Sequence, residues 1–214
     1  MVSRRGGELS EHILFTAKDV FLELGFERAS MDVIAARAGT SKRTLYARFE
    51  SKEKLYLAVV ALIRRLYLER LRYPADYGAD TGEALVQFCA RFLELLLWAP
   101  TIGMCRLAIA EAERFPEGAA SFYDALFATA HERLAGFLRE RLKLGPKRAA
   151  EAADSVVGRI THPLLARALF GIDSVRAGEV DETEVGAAVD LEPIREAVAS
   201  LLGSGTGLSS PSCS

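Results

Sequence analysis

The segment SMDVIAARAGTSKRTLYARFESKEK, residues 30–54, concentrates the reactive chemistry of this 214-residue chain. Between Arg37 and Lys54 six basic residues (Arg37, Lys42, Arg43, Arg48, Lys52, Lys54) stand against Glu50 and Glu53, a local charge of +4. The whole chain carries −2, and everything after Leu55 carries −4. A cationic patch this short on an otherwise acidic chain predicts a confined phosphate-binding site and excludes a globally basic nucleic-acid coat. Lys42, Arg43 and Thr44 would open a helix and offer donors to base edges and phosphates. Tyr46 has a phenol for a phosphate, and Arg48 can pair with a nucleic-acid backbone. Lys52 adds a cation beside a free helix N-terminus, which favours an anion.

Those side chains need a frame, and the residues around them predict it. Ser30 caps a short helix over 31–38, and Ser41 caps another over 42–48. Gly39 accepts the backbone angles of the corner between them, and Ala35 and Ala38 let the two helices cross closely. Leu45 and Phe49 point inward. A short basic helix taken alone is usually a solvated face. Here the order of the flanking residues argues for a helix-turn-helix that enters a major groove.

Residues 7–67 resemble the DNA-binding domain of the tetracycline-repressor (TetR) family. The resemblance is carried by Phe21…Gly25-Phe26, by Ile34-Ala35-Ala36-Arg37-Ala38-Gly39, and by Thr44-Leu45-Tyr46-x-x-Phe49-x-Ser51-Lys52-x-x-Leu55. The family places DNA contacts at positions that correspond to Lys42, Arg43, Thr44, Tyr46, Arg48 and Lys52. Arg48 departs from the aromatic residue or histidine often found there, and Ala47 is small. The segment MCRLAIAEAERFPEGAASFY, residues 104–123, resembles the C-terminal domain of the AefR-like branch.

Apolar residues recur at helical spacing along the rest of the chain, and alternating strand-like runs are absent. The expectation is an all-α protein of about nine helices. The first spans 9–24, capped by Ser10 and ended by Gly25, and the fourth runs 52–72. Others follow over 81–98 (ended by Pro100), 101–114, 117–144, 146–170 (kinked at His162-Pro163) and 182–202. The expected domains are a helix-turn-helix domain over 7–67 (motif 30–49), a helical ligand-binding and dimerisation domain over 81–203, and a mobile tail over 204–214. The helix over 146–170 is apolar on more than one face, which calls for two packing partners. The family resemblance implies a homodimer built on the last two long helices, placing Val156, Ile160, Leu164, Leu165, Ala168, Val198 and Leu201 at its interface. It also implies a small-molecule pocket among the middle helices, for which Phe88, Phe92, Trp98, Met104, Phe127 and His131 are the candidates; any single aromatic among them reads more readily as plain core, and His131 as a satisfied polar residue.

Other chemistry is sparse. The chain lacks a nucleophile elbow, a phosphate-binding loop, a zinc-protease motif and a dinucleotide turn, so no enzyme is expected. His12, His131 and His162 are far apart, and Cys89, Cys105 and Cys213 make no CxxC pair; neither a metal nor another cofactor is expected. The opening MVSRRGGELSEH has no apolar stretch behind its arginines, and no segment reaches the roughly 18 apolar residues a membrane span needs. The expected setting is the cytoplasm, with partners limited to operator DNA, a second copy and a small apolar effector. Binding of that effector would release a repressor from its operator. The rival expectation is a DNA binder without a ligand, its helical domain serving dimerisation alone.

Overall fold

The computed structural model describes residues 2–175 and 185–205. Among these the chain is helical with no strand. The helices are α1 (Val2–Arg28), α2 (Met31–Arg37), α3 (Lys42–Phe49), α4 (Lys52–Arg70), α5 (Thr81–Leu96), α6 (Ala99–Ala110), α7 (Pro116–Tyr123), α8 (Thr129–Leu142), α9 (Pro146–Thr161), α10 (Leu164–Leu169) and α11 (Glu192–Gly205). They fall into two compact units. One holds the described residues up to Leu66 together with Gly103–Tyr123, and the other holds Tyr67–Ile102 and the described residues from Asp124 onward. The stretch 81–203 contributes residues to both units.

In the first unit the apolar stripe Ile13, Ala17, Val20 and Phe21 of α1 is fully buried. Ile34 of α2, Leu45 of α3 and Leu55, Tyr56 and Val59 of α4 are buried in the same unit, with Tyr56 edge-on to Phe21. The helical path of α1 breaks at Gly25, with φ 75° and ψ 168°. No neighbour lies within 4 Å of where a Cβ would stand. Backbone angles, not space, therefore demand glycine at this position. Phe26, just past the break, joins Phe21, Tyr56 and Phe115 in an aromatic cluster with ring centroids 4.8–5.9 Å apart. Helix α1 starts well before Ser10, so Ser10 is no N-cap; its hydroxyl instead accepts from the Arg48 guanidinium at 2.6 Å.

In the second unit α5 is buried nearly all round, including the Arg91 and Glu94 side chains on its polar stripe. Asp80 caps it, accepting from the Glu83 amide at 2.8 Å. Leu134 and Leu138 of α8, Ala153, Val156, Val157 and Ile160 of α9, and Ile194, Ala197 and Val198 of α11 complete the core. Several expected boundaries move. Pro100 does not stop α5, which ends at Leu96; it sits in the first turn of α6, where a missing N–H costs nothing. The expected helix over 117–144 is interrupted by a π turn at Asp124–Ala128. The helix expected over 146–170 stops outright at a cis His162-Pro163 bond and restarts as α10. The last helix begins at Glu192, and the tail beyond Gly205 lies outside the described residues.

Candidate nucleic-acid interface

Helix α2 ends in a glycine-capped turn. The Thr40 amide donates to the Ala35 carbonyl at 3.0 Å and the Gly39 amide to the Ala36 carbonyl at 3.2 Å, with Gly39 at φ 61°. This is the six-to-one and five-to-two bond pair of a Schellman ending, which a left-handed glycine permits. Ala35 and Ala38 are buried at the crossing. Ser30 caps α2 through the Val33 amide at 3.2 Å, and Ser41 caps α3 through the Thr44 amide at 3.0 Å. The sequence therefore builds both short helices from their caps, and Leu45, with no exposed surface, anchors α3 to the core.

Everything opposite Leu45 on α3 faces outward. Lys42, Arg43, Tyr46, Ala47 and Arg48 are exposed, Tyr46 by 42%, while Thr44 and Phe49 are half-buried. The outward face thus carries three cations, a phenol and no carboxylate within the helix. Arg43 has no hydrogen bond or ion pair with a described residue. Lys42 lies 2.8 Å from Asp32 of α2, and this contact raises its pKa. The Thr44 hydroxyl shares a 2.8 Å hydrogen bond with the Ser41 hydroxyl, so it belongs partly to the cap.

Surface pairs hold this platform in register. The Arg37 guanidinium of α2 grips the Glu23 carboxylate of α1, and this hydrogen bond lowers the carboxyl's pKa. Arg65 of α4 pairs with Glu11 of α1 at 2.9 Å. Exposed pairs stabilise weakly, so their contribution here is orientation more than stability. Sequence reasoning missed Glu23, Asp32 and Glu11, because nothing in their spacing marks them as partners of residues on other helices.

Lys52 has a different setting from the one its position suggested. Its ammonium donates to the carbonyls of Phe26 (2.8 Å), Ala29 (3.1 Å) and Glu27 (3.3 Å). The helix N-terminus beside it is also not free. The Ser51 hydroxyl accepts from the Lys54 amide at 3.2 Å, and the Glu53 carboxylate is held, with lowered pKa, by its own amide and the Ser51 hydroxyl.

The six pocket candidates are distributed over both units. Met104 belongs to the first unit and the other five to the second. Phe88, Phe92 and Met104 are packed core residues, exposed by 1% or less. Trp98 and Phe127 are half-buried, and His131 pairs with Asp154 at 2.6 Å. A groove of about 370 Å³ in the second unit is lined by none of them; Leu97, Leu164, Ala168 and Val189 form its apolar walls, and Glu94 and Asp173 its acidic ones. Glu94 is buried, 3.3 Å from Arg91, and accepts from the Gly186 amide (2.9 Å) and the Ala188 amide (3.2 Å). Its only trace in the sequence is an Arg-x-x-Glu spacing inside an apolar helix.

The dimer candidates divide as well. Val156, Ile160, Ala168 and Val198 are at most 3% exposed within a single chain, so most of their surface is already used inside the protomer. The helix over 146–161 needs its apolar side for packing within this unit. Leu164 is 40% exposed, and Leu165 and Leu201 are half-buried. The large exposed apolar residues nearby are Phe170, at 84%, and Ile172, at 61%.

Comparison with known proteins gives this geometry its context. Residues 13–59 match the family described as bacterial regulatory proteins, tetR family, and residues 83–191 match the AefR-like transcriptional repressor C-terminal domain. The chain is 46% identical over 63 residues to the HTH-type transcriptional activator FasR of Mycolicibacterium smegmatis, covering 27% of this chain and 29% of that protein. It is 39% identical over 117 residues to the HTH-type transcriptional regulator RutR of Escherichia coli K12, covering 47% and 54%. The chain thus aligns with about half or less of the length of these curated relatives. Among solved structures, the flavonoid-responsive regulator FrrA superposes with a TM-score of 0.67 at 27% identity, covering 93% of this chain and 95% of that one.

Proposed function

This chain belongs to the TetR family of bacterial DNA-binding transcriptional regulators, and from that premise we propose that it is a homodimeric repressor released from its operator by a small apolar effector. The observation that carries the DNA contact is the outward face of α3, where Lys42, Arg43, Tyr46 and Arg48 stand opposite buried Leu45. Each protomer inserts α3 into a major groove, and two heads read a pseudo-palindromic site. Arg43 reads a base edge or phosphate, Lys42 exchanges Asp32 for a phosphate, Tyr46 and Arg48 bind the backbone, and Thr44 adds its hydroxyl from the cap. The protein acts in the cytoplasm, with no catalytic step of its own.

Repression is supported by the AefR-like repressor match over residues 83–191. Effector response is supported by the likeness to a flavonoid-responsive regulator along nearly the whole chain. Dimerisation is supported by exposed Leu164, Phe170 and Ile172, which are costly to leave in water, and they replace the buried Val156, Ile160, Ala168 and Val198 as the contact surface. The test is salt-dependent binding to the protein's own upstream region, repeated with apolar aromatic compounds. An effector that weakens DNA binding must itself bind less tightly to the DNA complex, because coupling is reciprocal. Salt-insensitive binding, or none, refutes the DNA reading.

A second reading has one observation in its favour. Phe88 and Phe92 are closed core, as they would be in a DNA binder whose helical unit serves only dimerisation. A compound library that never raises the thermal midpoint of the protein would favour this reading over an effector-released repressor.

A further inference from the structure

The carbonyls that Lys52 bonds to lie just past the break at Gly25. There the chain leaves α1 and turns toward the Ser30 cap of α2, so these acceptors have no regular helical partners. An ammonium has three N–H donors, and three carbonyl oxygens between 2.8 and 3.3 Å use them all. The same ammonium lies 4.2 Å from the centroid of the Phe26 ring. That ring is itself set by Phe21, Tyr56 and Phe115, with the Arg114 guanidinium 5.1 Å from its centroid. Arg114 also pairs with Glu27, whose carbonyl Lys52 holds.

We infer that Lys52 is a positioning residue: it ties the first turn of α4 to the end of α1, fixes where α2 and α3 stand, and makes no contact with DNA phosphate. The clamp spans the helix break through which the recognition helix could shift against the core of its unit. Its consequence is specificity. A loosened clamp leaves the cations of α3 in place for any DNA but blurs their register on base edges. The inference rests on the α3 docking reading above.

The test uses the full-length protein and a duplex that the wild type selects from a randomised pool, with a scrambled duplex of equal length as reference. Binding is measured by fluorescence anisotropy across a salt series for wild type, Lys52→Arg, Lys52→Met and Arg43→Ala. A phosphate contact tolerates arginine, which binds phosphate at least as well as lysine, whereas a planar fork cannot converge on three carbonyls. Both Lys52 variants are expected to weaken selected-duplex binding by about tenfold, to narrow the ratio of selected to scrambled affinity, and to leave the slope of log K against log salt unchanged. Arg43→Ala is expected to reduce that slope by about 1. Lys52→Arg with wild-type affinity and ratio, or Lys52→Met with a slope reduced by about 1, would overturn the inference. Should Lys52→Met fail to fold, Lys52→Arg decides alone. No effect of Arg43→Ala would reject α3 docking separately, and the DNA-free proteins then decide on Lys52: a lower thermal midpoint for Lys52→Arg supports the clamp, and an unchanged one rejects it.

Discussion

Leu45→Ala should release the recognition helix from its unit without touching its DNA-facing side chains. Helix α3 has eight residues, too few to be helical alone, and Leu45 is the only one fully withdrawn from water. Truncation removes roughly three buried carbons, worth about 0.8 kcal/mol each, and adds a cavity term, so docking of the helix should weaken by about 3 kcal/mol. That corresponds to roughly a hundredfold rise in the undocked fraction. Native-state amide exchange reads it directly. The Leu45 amide bonds to the Ser41 carbonyl at 3.0 Å and the Glu50 amide to the Tyr46 carbonyl at 2.9 Å, and both should exchange about a hundredfold faster. DNA affinity falls only to the extent that the undocked state becomes the major one, because apparent affinity scales with the competent fraction. Exchange accelerated less than about fivefold, equivalent to roughly 1 kcal/mol, would refute Leu45 as the anchor.

Three further outcomes follow from the same packing and capping. Ser41→Ala should cost about 1 kcal/mol of stability and speed exchange at the Thr44 amide, whereas Ser41→Asn should retain most of the cap. Gly25→Ala should cost about 1–3 kcal/mol in chemical denaturation although its Cβ meets open space, since only the backbone angles oppose it. Burial pushes the Cys89 thiol from 9.0 up to about 12, and burial with the nearby Glu111 pushes the Tyr56 phenol from 10.0 up to about 12. Both groups are protonated in the folded state while the unfolded chain ionises, so stability is complete below about pH 9 and should fall between about pH 9 and 12, which alkaline denaturation at fixed urea measures.

Charge and capping make the DNA-reading face legible in the sequence. The +4 patch, the serines at 30 and 41, and the Gly39 corner are local signals, written in neighbouring residues. Cap geometry and helix periodicity depend on spacings of three or four residues, so the sequence alone is enough to place α2 and α3 and the outward face of α3. The break at Gly25 is legible for the same reason. The end of the helix that starts at Pro146 is less so: proline marks the position, but a kink and a full stop look alike in one dimension.

What the tertiary structure decided was which partner each apolar or charged group meets. Val156 and Val198 are as greasy as an interface residue, yet they face their own core, because hydrophobicity fixes burial and not the identity of the neighbour. Phe88 and Phe92 have the composition of a pocket wall but fill the core, since the sequence cannot say where packing leaves a void. Lys52 shows the limit most sharply. Its position beside a basic recognition helix reads as a phosphate contact, yet three carbonyls from 23 to 26 residues earlier in the chain claim its donors. Contacts at that separation depend on how the chain folds back, and no local spacing encodes it.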